Sequence, residues 1–533
     1  MKNDNTRSRC MLGTATALAA LTLGTAFAHA QSDADKRGST LTIGLASQAE
    51  CLDPQQHQHG FDSQQGRALV DSLTDQSQQD AATIVPWLAT SWQINDDATE
   101  YTFALRNDVT FSDGTKLDAG VVKANFDALK AIPAAAGAEY LTAVKEITVV
   151  DPLTVKIAFS EPNIAFLAAS ATTRLGIVSA ATAAKTSDER CKEGIVGSGP
   201  FLIERHVYNE ELVLTRREGY NWASKVLKHQ GEAYLDKVVY KVIPEASVRT
   251  GALTSGQVDI TAASYQDADA LKDGGYNIIN ASYVGTSAAL FFNTARPLAG
   301  DLAVRRAFLH AINTAEIVEL VQNGYVEAAK GLLTPVTPGF LDQSAEIAFD
   351  PELSEKILDE AGWVKGADGF REKNGTRLQL IGAFWANPTN IQLFEVIQQQ
   401  AALVGIDVKV NPEPSSPAYL QGQIDGKYDF FRWHWSLADV DVLRKDYSSE
   451  GLNRLRLPAG NAIDPLLFAQ KGIVDPAKRV ETTNEAQRII IDQAYSVPLF
   501  SPDSLWAASP KVKDFGFAAS GPSQIVYDTW IEK

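Results

Sequence analysis

The segment 391–410 constrains the fold of this chain more than any other. Apolar side chains recur at helical spacing through 391–404, Gly405 ends that pattern, and a β-prone run follows directly at 406–410. A helix that leads at once into a strand is the repeating unit of an α/β layer. The sequence therefore predicts an α/β fold.

Three further strands are predicted in the first third of the chain. Residues 41–45 form a short apolar run rich in β-formers, and 100–106 and 154–159 alternate polar and apolar residues. Strict alternation is typical of a strand with one buried face. We expect the last two segments to be half-buried antiparallel strands.

Two further helices are predicted at 301–312 and 351–361. The second is preceded by Asp350, a good N-cap, and has a proline at its first position. In the first, apolar residues recur at helical spacing, and we expect Arg305 and Arg306 on its outer face.

Length indicates more than one core. The chain has 533 residues, of which 45% are hydrophobic. Single cores stop growing at about 250 to 300 residues. We therefore expect two large lobes.

The N-terminus has the pattern of a secretory signal peptide. Basic residues up to Arg9 precede a largely apolar stretch at 11–27, and a small-x-small site follows at 28–30. A short buried helix is the alternative, but the basic flank and the cleavage pattern favour export with 1–30 removed. Cys10 precedes the apolar run, which argues against a lipid anchor, and no later stretch has the roughly 20 apolar residues of a membrane span. We expect a periplasmic protein that is not inserted in the membrane.

The net charge of the chain argues against some classes of binding partner. Asp and Glu number 65 against 48 Lys and Arg, so the formal net charge is −17. An acidic surface repels phosphate backbones and anionic membranes, and we expect no nucleic-acid partner.

After export, two cysteines remain, Cys51 and Cys191. Disulfides persist in an oxidising compartment, which favours a bridge between them. The alternative is two separate buried thiols, because sequence does not show whether the two Cα atoms lie within bridging distance.

Several short motifs follow one another along the chain. The densest are VPWLATSW at 85–92 and YTFALRNDVTFSDGT at 101–115. GSGPF at 197–201, ALTSGQVDI at 252–260 and DEAGW at 359–363 follow. In this set and order they resemble the large solute-binding proteins of ABC importers that include the dipeptide-, oligopeptide- and nickel-binding proteins. We expect the apolar residues of the first two motifs to be scaffold.

The resemblance implies a two-lobed periplasmic-binding-protein fold of type II, the large peptide-binding type, with an extra subdomain in the first lobe. The implied first lobe comprises 38–76, 197–290 and 498–533, the inserted subdomain 77–196, and the second lobe 291–497. It implies a monomer without cofactor that closes on a small-molecule or peptide ligand and docks on importer membrane subunits. It implies no enzymatic activity.

The candidate binding feature is the segment 430–441. An aromatic strand that ends in a loop with two carboxylates can stack a ligand's apolar body and pair its cationic group. In the dipeptide binders a Trp precedes an Asp-Pro-Asp loop that pairs the ligand's amino group, and Trp435 with Asp439 is similar. Here the loop reads Asp-Val-Asp, which leaves Asp439 and Asp441 as alternatives. The other reading is a buried aromatic strand with solvated aspartates.

Two more segments are implied to face the ligand. Trp385 lies in a loop where dipeptide binders present an arginine, and no arginine stands there. Arg432 is expected to supply that charge, which favours a small zwitterionic or peptide-like solute. From the first lobe we expect contacts from Ser47 and Glu50.

Three alternative functions remain open. His434, with the pair His57 and His59, could ligate nickel or a nickel chelate, because imidazole suits that metal. An exported hydrolase is the alternative from another class, but the serine in GSGP at 197–200 does not have nucleophile-elbow spacing. A ligand sensor that docks on a chemoreceptor would use the same closure.

Overall fold

A computed structural model describes residues 33–56, 64–77, 80–132, 135–519 and 523–533. The predicted signal peptide lies outside these residues. None of the helices in the described ranges is long and apolar enough to span a bilayer.

Strands occur along the whole described chain. They are β1 (Thr40–Leu45), β2 (Thr74–Gln76), β3 (Ile84–Pro86), β4 (Ala89–Ile94), β5 (Glu100–Leu105), β6 (Val144–Asp151), β7 (Thr154–Phe159), β8 (Phe201–Val207), β9 (Glu211–Arg216), β10 (Lys237–Val242), β11 (Ile260–Ala262), β12 (Asn277–Ser282), β13 (Ala288–Phe292), β14 (Val364–Lys365), β15 (Arg371–Lys373), β16 (Thr376–Arg377), β17 (Gln379–Trp385), β18 (Asp407–Glu413), β19 (Phe430–Trp433), β20 (Ser496–Phe500), β21 (Asp503–Ala508), β22 (Val512–Lys513), β23 (Gly516–Phe517), β24 (Gln524–Ile525) and β25 (Trp530–Ile531).

Helices alternate with the strands. They are α1 (Asp33–Lys36), α2 (Gly66–Leu69), α3 (Ala119–Lys130), α4 (Phe166–Ala169), α5 (Ala180–Ala183), α6 (Ser187–Glu193), α7 (Ala246–Thr254), α8 (Tyr265–Asp273), α9 (Leu302–Ala311), α10 (Thr314–Gln322), α11 (Pro351–Glu360), α12 (Pro388–Leu403), α13 (Ser416–Ile424), α14 (Val442–Tyr447), α15 (Asp464–Ala469) and α16 (Pro476–Asp492). Short 3-10 helices lie at Pro54–Gln56, Ala136–Leu141, Thr173–Leu175 and Gln470–Gly472.

The first lobe is built on a seven-stranded sheet in the order β12-β21-β11-β1-β10-β9-β8. Strand β1 runs parallel to both of its neighbours, β10 and β11, whereas the remaining pairs are antiparallel. The predicted strand at 41–45 is therefore confirmed as β1, with Leu41 and Ile43 fully buried.

The second lobe is built on a five-stranded sheet in the order β18-β17-β19-β13-β20. Strands β17 and β18 are parallel neighbours joined by α12, which Asn387 caps by accepting the Asn390 amide. Gly405 has φ +87°, a conformation that favours glycine, and it lets the chain turn from α12 into β18. The helix and strand predicted at 391–410 are confirmed, with the helix beginning three residues earlier.

An antiparallel four-stranded sheet, β4-β5-β7-β6, forms the extra layer of the first lobe. Strands β5 and β7 match the predicted alternating segments and pair with each other. Their inward residues include Tyr101 and Phe103, which pack on Phe166 beneath α3. Most apolar side chains of the two dense motifs lie in this core, and Trp92 is partly buried against it.

The predictions for α9 and α11 are confirmed except at one side chain. Asp301 and Asp350 cap the two helices. Each side chain accepts a hydrogen bond from a backbone N–H of the first turn, which has no partner within the helix. Arg305, expected outside, is only 4% exposed, and its guanidinium donates to the carbonyls of Ala299 and Gly300. Sequence periodicity missed this because carbonyls left free by a neighbouring turn satisfy the buried charge.

The chain crosses between the two sheets twice. It passes from β12 to β13 through 283–287 and returns from β20 to β21 through 501–502. Because β12 pairs with β21 and β13 pairs with β20, the two crossings lie side by side. The Tyr283 amide also donates to the Pro502 carbonyl at 2.9 Å. These segments form the hinge between the lobes.

A disulfide joins Cys51 and Cys191, whose Cα atoms are 4.5 Å apart. It lies beside a fully buried ion pair in which Arg190 donates to Asp53 at 3.3 Å and to Gln55 at 2.7 Å. The bridge therefore holds the loop after β1 against α6, next to an ion pair that is buried from solvent.

Reduction of this disulfide should lower the melting temperature of the mature protein, because a cross-link over 140 residues restricts the unfolded chain. The expected loss of unfolding free energy is about 2–5 kcal/mol. Calorimetry with and without reductant measures it. The double variant C51S/C191S is the control and should not respond to reductant. Labelling of two thiols in the unreduced, native protein would contradict the bridge.

Candidate functional site

A cavity of about 510 Å³ lies between the two lobes, next to the crossing segments. Its wall combines aromatic side chains with a comparable number of polar and charged ones. The aromatic lining residues are Tyr140, Tyr265, Tyr283, Phe384, Trp385, Tyr419, Trp433, Trp435 and Phe500, together with His434. A volume in the range of about 300–1,000 Å³ is typical of small-molecule sites.

Strand β19 and the residues after it form one side of this cavity. Phe430 and Phe431 are buried in the core of the second lobe, whereas 432–436 are half-buried and line the cavity. The Trp433 indole N–H donates to Asp446 at 3.1 Å, and the Arg454 guanidinium lies 4.2 Å from the ring centre of Trp433. These two contacts fix the position of the Trp433 side chain in the aromatic segment.

Arg432 is the charged group on this wall. Its guanidinium lies 5.5 Å from the ring centre of Phe500, and its buried Nε has no hydrogen-bond partner. No carboxylate of the described residues lies within ion-pair distance of it. Burial lowers the pKa of Arg432 below the ordinary arginine value. An arginine in this condition favours an anionic ligand group at the cavity.

His434 lies two residues further along the same segment. Burial lowers the pKa of His434 to about 3, and the positive charge of Arg432 acts in the same direction. The imidazole is therefore neutral at neutral pH, so one ring nitrogen is an acceptor. The described residues contain no group of three or more His, Cys, Asp or Glu placed to hold a metal ion. His57 and His59 lie outside the described residues.

Neither Asp439 nor Asp441 lines this cavity, although Asp441 lines a second cavity that adjoins it. Arg479 donates to both oxygens of Asp439, one at 2.8 Å, and Arg444 donates to both oxygens of Asp441 at 2.8 and 2.7 Å. Gln470 links the two pairs by accepting from Arg479 and donating to Asp441. Burial alone would raise the pKa of Asp441, but its arginine partner holds it below the usual range. Both carboxylates are thus engaged within the second lobe.

Of the remaining residues expected to bind a ligand, one lines the cavity and two do not. Trp385 lines the cavity at its rim and is 41% exposed, beside Asn387 and Asn390 where dipeptide binders have an arginine. Ser47 and Glu50 are exposed in the loop after β1 and do not line the cavity. The two residues between them in that loop, Gln48 and Ala49, are buried.

Sequence reasoning missed several lining residues because they come from distant segments. The first lobe contributes Tyr265, Tyr283 and Asp503, and the inserted layer contributes Thr173 and Arg174. No local motif marks them, since they lie at or near the ends of different strands and helices. Only the position of the crossing segments brings them together.

The serine in GSGP has a structural role. Ser198 is fully buried, and its hydroxyl accepts the backbone N–H of Asp71 at 3.1 Å. Asp71 in turn accepts from Trp222 at 2.9 Å. The Ser198 hydroxyl is therefore not accessible as a nucleophile.

A second cavity of about 350 Å³ adjoins the first and shares Tyr140, Trp435 and Leu437 with it. Two ion pairs cross it from the inserted layer to the second lobe. Lys445 lies 2.7 Å from Glu139, and Lys471 lies 2.7 Å from Glu161. The lobes are therefore in contact beyond the hinge, as in a closed binding protein.

Two lobes around a cavity, joined by a double hinge, define a solute-binding protein. Residues 83–445 match the family model of the bacterial extracellular solute-binding proteins, family 5. That match covers more than half of the chain. The chain belongs to this family, and it is the substrate-binding component of an ABC importer.

Relatives and solved structures agree with this assignment. The nickel-binding periplasmic protein of Escherichia coli is 27% identical over 459 residues, covering 82% of this chain and 84% of that protein. The dipeptide-binding protein of Escherichia coli is 25% identical over 448 residues, covering 77% and 79%. The structure of NikA from Brucella suis in complex with Fe(III)-EDTA aligns with a TM-score of 0.80 at 25% identity, covering 93% of this chain and all of that one.

Substitution of Asp439 by Ala should destabilise the empty protein, because Arg479 would remain buried without its partner. The side chains of both residues are 12% exposed, and loss of one member of such a pair costs about 3–5 kcal/mol. Thermal unfolding without ligand measures it.

The matched control is Asp188→Ala, which removes an ion pair whose side chains are 76% and 84% exposed. It should change stability by less than about 0.5 kcal/mol. An unchanged melting temperature for Asp439→Ala, together with lost ligand binding, would instead identify Asp439 as a ligand partner.

Proposed function

We propose that this chain is a periplasmic protein that captures a small, carboxylate-bearing, peptide-like solute between its lobes and delivers it to the membrane subunits of the importer. The proposal extends the family assignment to a ligand class and a compartment. The N-terminal leader pattern and the periplasmic relatives support the compartment.

The single observation that carries the ligand class is the unpaired guanidinium of Arg432 in the cavity wall. A buried charge without a partner costs free energy in the empty protein. A ligand carboxylate that accepts two hydrogen bonds from it offsets that cost, and guanidinium geometry suits such a group.

The cavity wall supports a ligand with an apolar or planar body. Trp433 and Trp435 have ring centres 6.0 Å apart, and Trp385 stands at the rim. Rigid aromatic rings bind side chains of different shapes by stacking and by apolar contact. The asparagine amides beside Trp385 can hydrogen-bond a peptide group.

A second candidate ligand is a metal chelate that carries carboxylates. His434 is neutral and lines the same cavity as Arg432, so it could complete the coordination of a chelated metal while Arg432 binds a carboxylate. The nickel-binding relative supports this candidate.

Thermal-shift measurements on the mature protein would distinguish the two. The panel comprises dipeptides and oligopeptides, amino-acid conjugates, sugars, and nickel with and without free histidine. A ligand at 100 times its Kd adds about 2.7 kcal/mol to the unfolding free energy. Stabilisation by dipeptides alone supports the first proposal, and stabilisation by nickel with histidine alone supports the second. Stabilisation only by uncharged sugars would contradict both.

Arg432→Gln should weaken binding of any carboxylate ligand from that panel by at least about 30-fold, because loss of a buried charged partner costs about 2 kcal/mol or more. Titration calorimetry measures this affinity. The empty variant should be as stable as the parent or more so, since the unpaired charge is gone.

The matched control for that variant is Arg306→Gln in the same lobe. Arg306 is an exposed arginine paired with Asp492. The Arg306→Gln substitution should leave ligand affinity unchanged. Equal ligand affinity of the Arg432 variant and the parent would refute the proposed role of Arg432.

A further inference from the structure

The cavity also contains an acidic residue that no motif pointed to. Asp503 begins β21 in the first lobe and lines the same cavity as Arg432, which lies on β19 of the second lobe. Tyr265, the first residue of α8, is near both: its hydroxyl donates to Asp503 Oδ1, and the charge of Arg432 also acts on it. The cavity therefore has a carboxylate on one lobe and a guanidinium on the other.

The second oxygen of Asp503 is not satisfied. Oδ2 is buried and has no hydrogen-bond partner in the described part of the chain. Asn280 of the adjacent strand β12 lies nearby, but its side-chain N–H donates to the Tyr325 carbonyl at 2.6 Å. Burial raises the pKa of Asp503 to about 6, although the Tyr265 hydroxyl and the Asn280 amide both oppose that shift.

The carboxylates that were expected to bind a ligand differ from Asp503 in this respect. Asp439 and Asp441 each accept two hydrogen bonds from an arginine. No lysine or arginine of the described residues lies within ion-pair distance of Asp503. Asp503 is therefore the cavity carboxylate that can accept hydrogen bonds from an incoming cation.

We propose that Asp503 binds the cationic amino group of the solute whose carboxylate Arg432 binds. This assignment rests on the proposed function, since it concerns the other end of the same ligand. A solute with both groups would contact both lobes at once. Such a ligand has a higher affinity for the closed form and shifts the population toward it. A solute with only one of the two groups would lose that advantage.

Paired probes test the assignment. We would titrate a series of Ala-X dipeptides and their N-acetyl-Ala-X counterparts, which keep the carboxylate but lack the ammonium group. The parent protein should bind the free-amine series roughly 10- to 150-fold more tightly, as for a hydrogen bond to a charged group.

Asp503→Asn is the informative variant because it keeps an oxygen acceptor for Tyr265 while it removes the charge. It should weaken the free-amine series to the affinity of the acetylated series and leave the acetylated series unchanged. The control is Asp273→Asn, an exposed acid on α8 of the same lobe, which should change neither series.

Each outcome has a defined meaning. Equal loss of both series in Asp503→Asn would show a structural role and overturn this inference, as would equal binding of both series by the parent protein. In both cases the carboxylate-binding role of Arg432 would stand. Failure of both series to bind the parent protein would refute the peptide-like ligand class, and this inference with it.

Discussion

Two adjacent crossings of the chain between two sheets are the constraint on which the rest of this structure depends. Strands β12 and β21 pair in the first lobe, and β13 and β20 pair in the second, so that among the residues the structure describes the chain spans the gap at 283–287 and 501–502. Rotation about two short neighbouring segments changes the separation of the lobes without breaking either sheet. Gly285, with φ +139°, lies against the backbone of Trp435, where a side chain would overlap the Trp435 carbonyl. The hinge and the aromatic wall are therefore parts of one arrangement.

The charged groups near this hinge fall into two kinds. Asp439, Asp441 and their arginines satisfy one another within the second lobe and stabilise the loop after the aromatic segment. Arg432 and Asp503 have no such partners in the described part of the chain, and they face a common cavity from opposite lobes. Buried polar groups are normally paired, and in the function proposed above a ligand supplies the interactions that Arg432 and Asp503 lack. The same contrast explains why a carboxylate close in sequence to a tryptophan need not be a ligand partner.

Local rules account for much of the fold. Alternation placed β5 and β7, helical periodicity with Asp301 and Asp350 as caps placed α9 and α11, and a glycine marked the end of α12. These features depend on neighbours within a few residues, which is why the sequence indicates them. Arg305 is the instructive exception, because its burial depends on carbonyls presented by a preceding turn and by Gln493 far along the chain.

The candidate site was only partly predictable for the same reason. Sequence by itself determined the α/β class, the scaffold motifs, the two cysteines available for a bridge, and the aromatic segment that contains Arg432, His434 and Trp435. Only the tertiary structure decided which charged groups pair. It places Asp439 against Arg479, 40 residues away, and it brings Asp503 to the cavity. A carboxylate is available to a ligand only when no buried cation of the protein has taken it, and that pairing is a property of the packed lobes rather than of any segment.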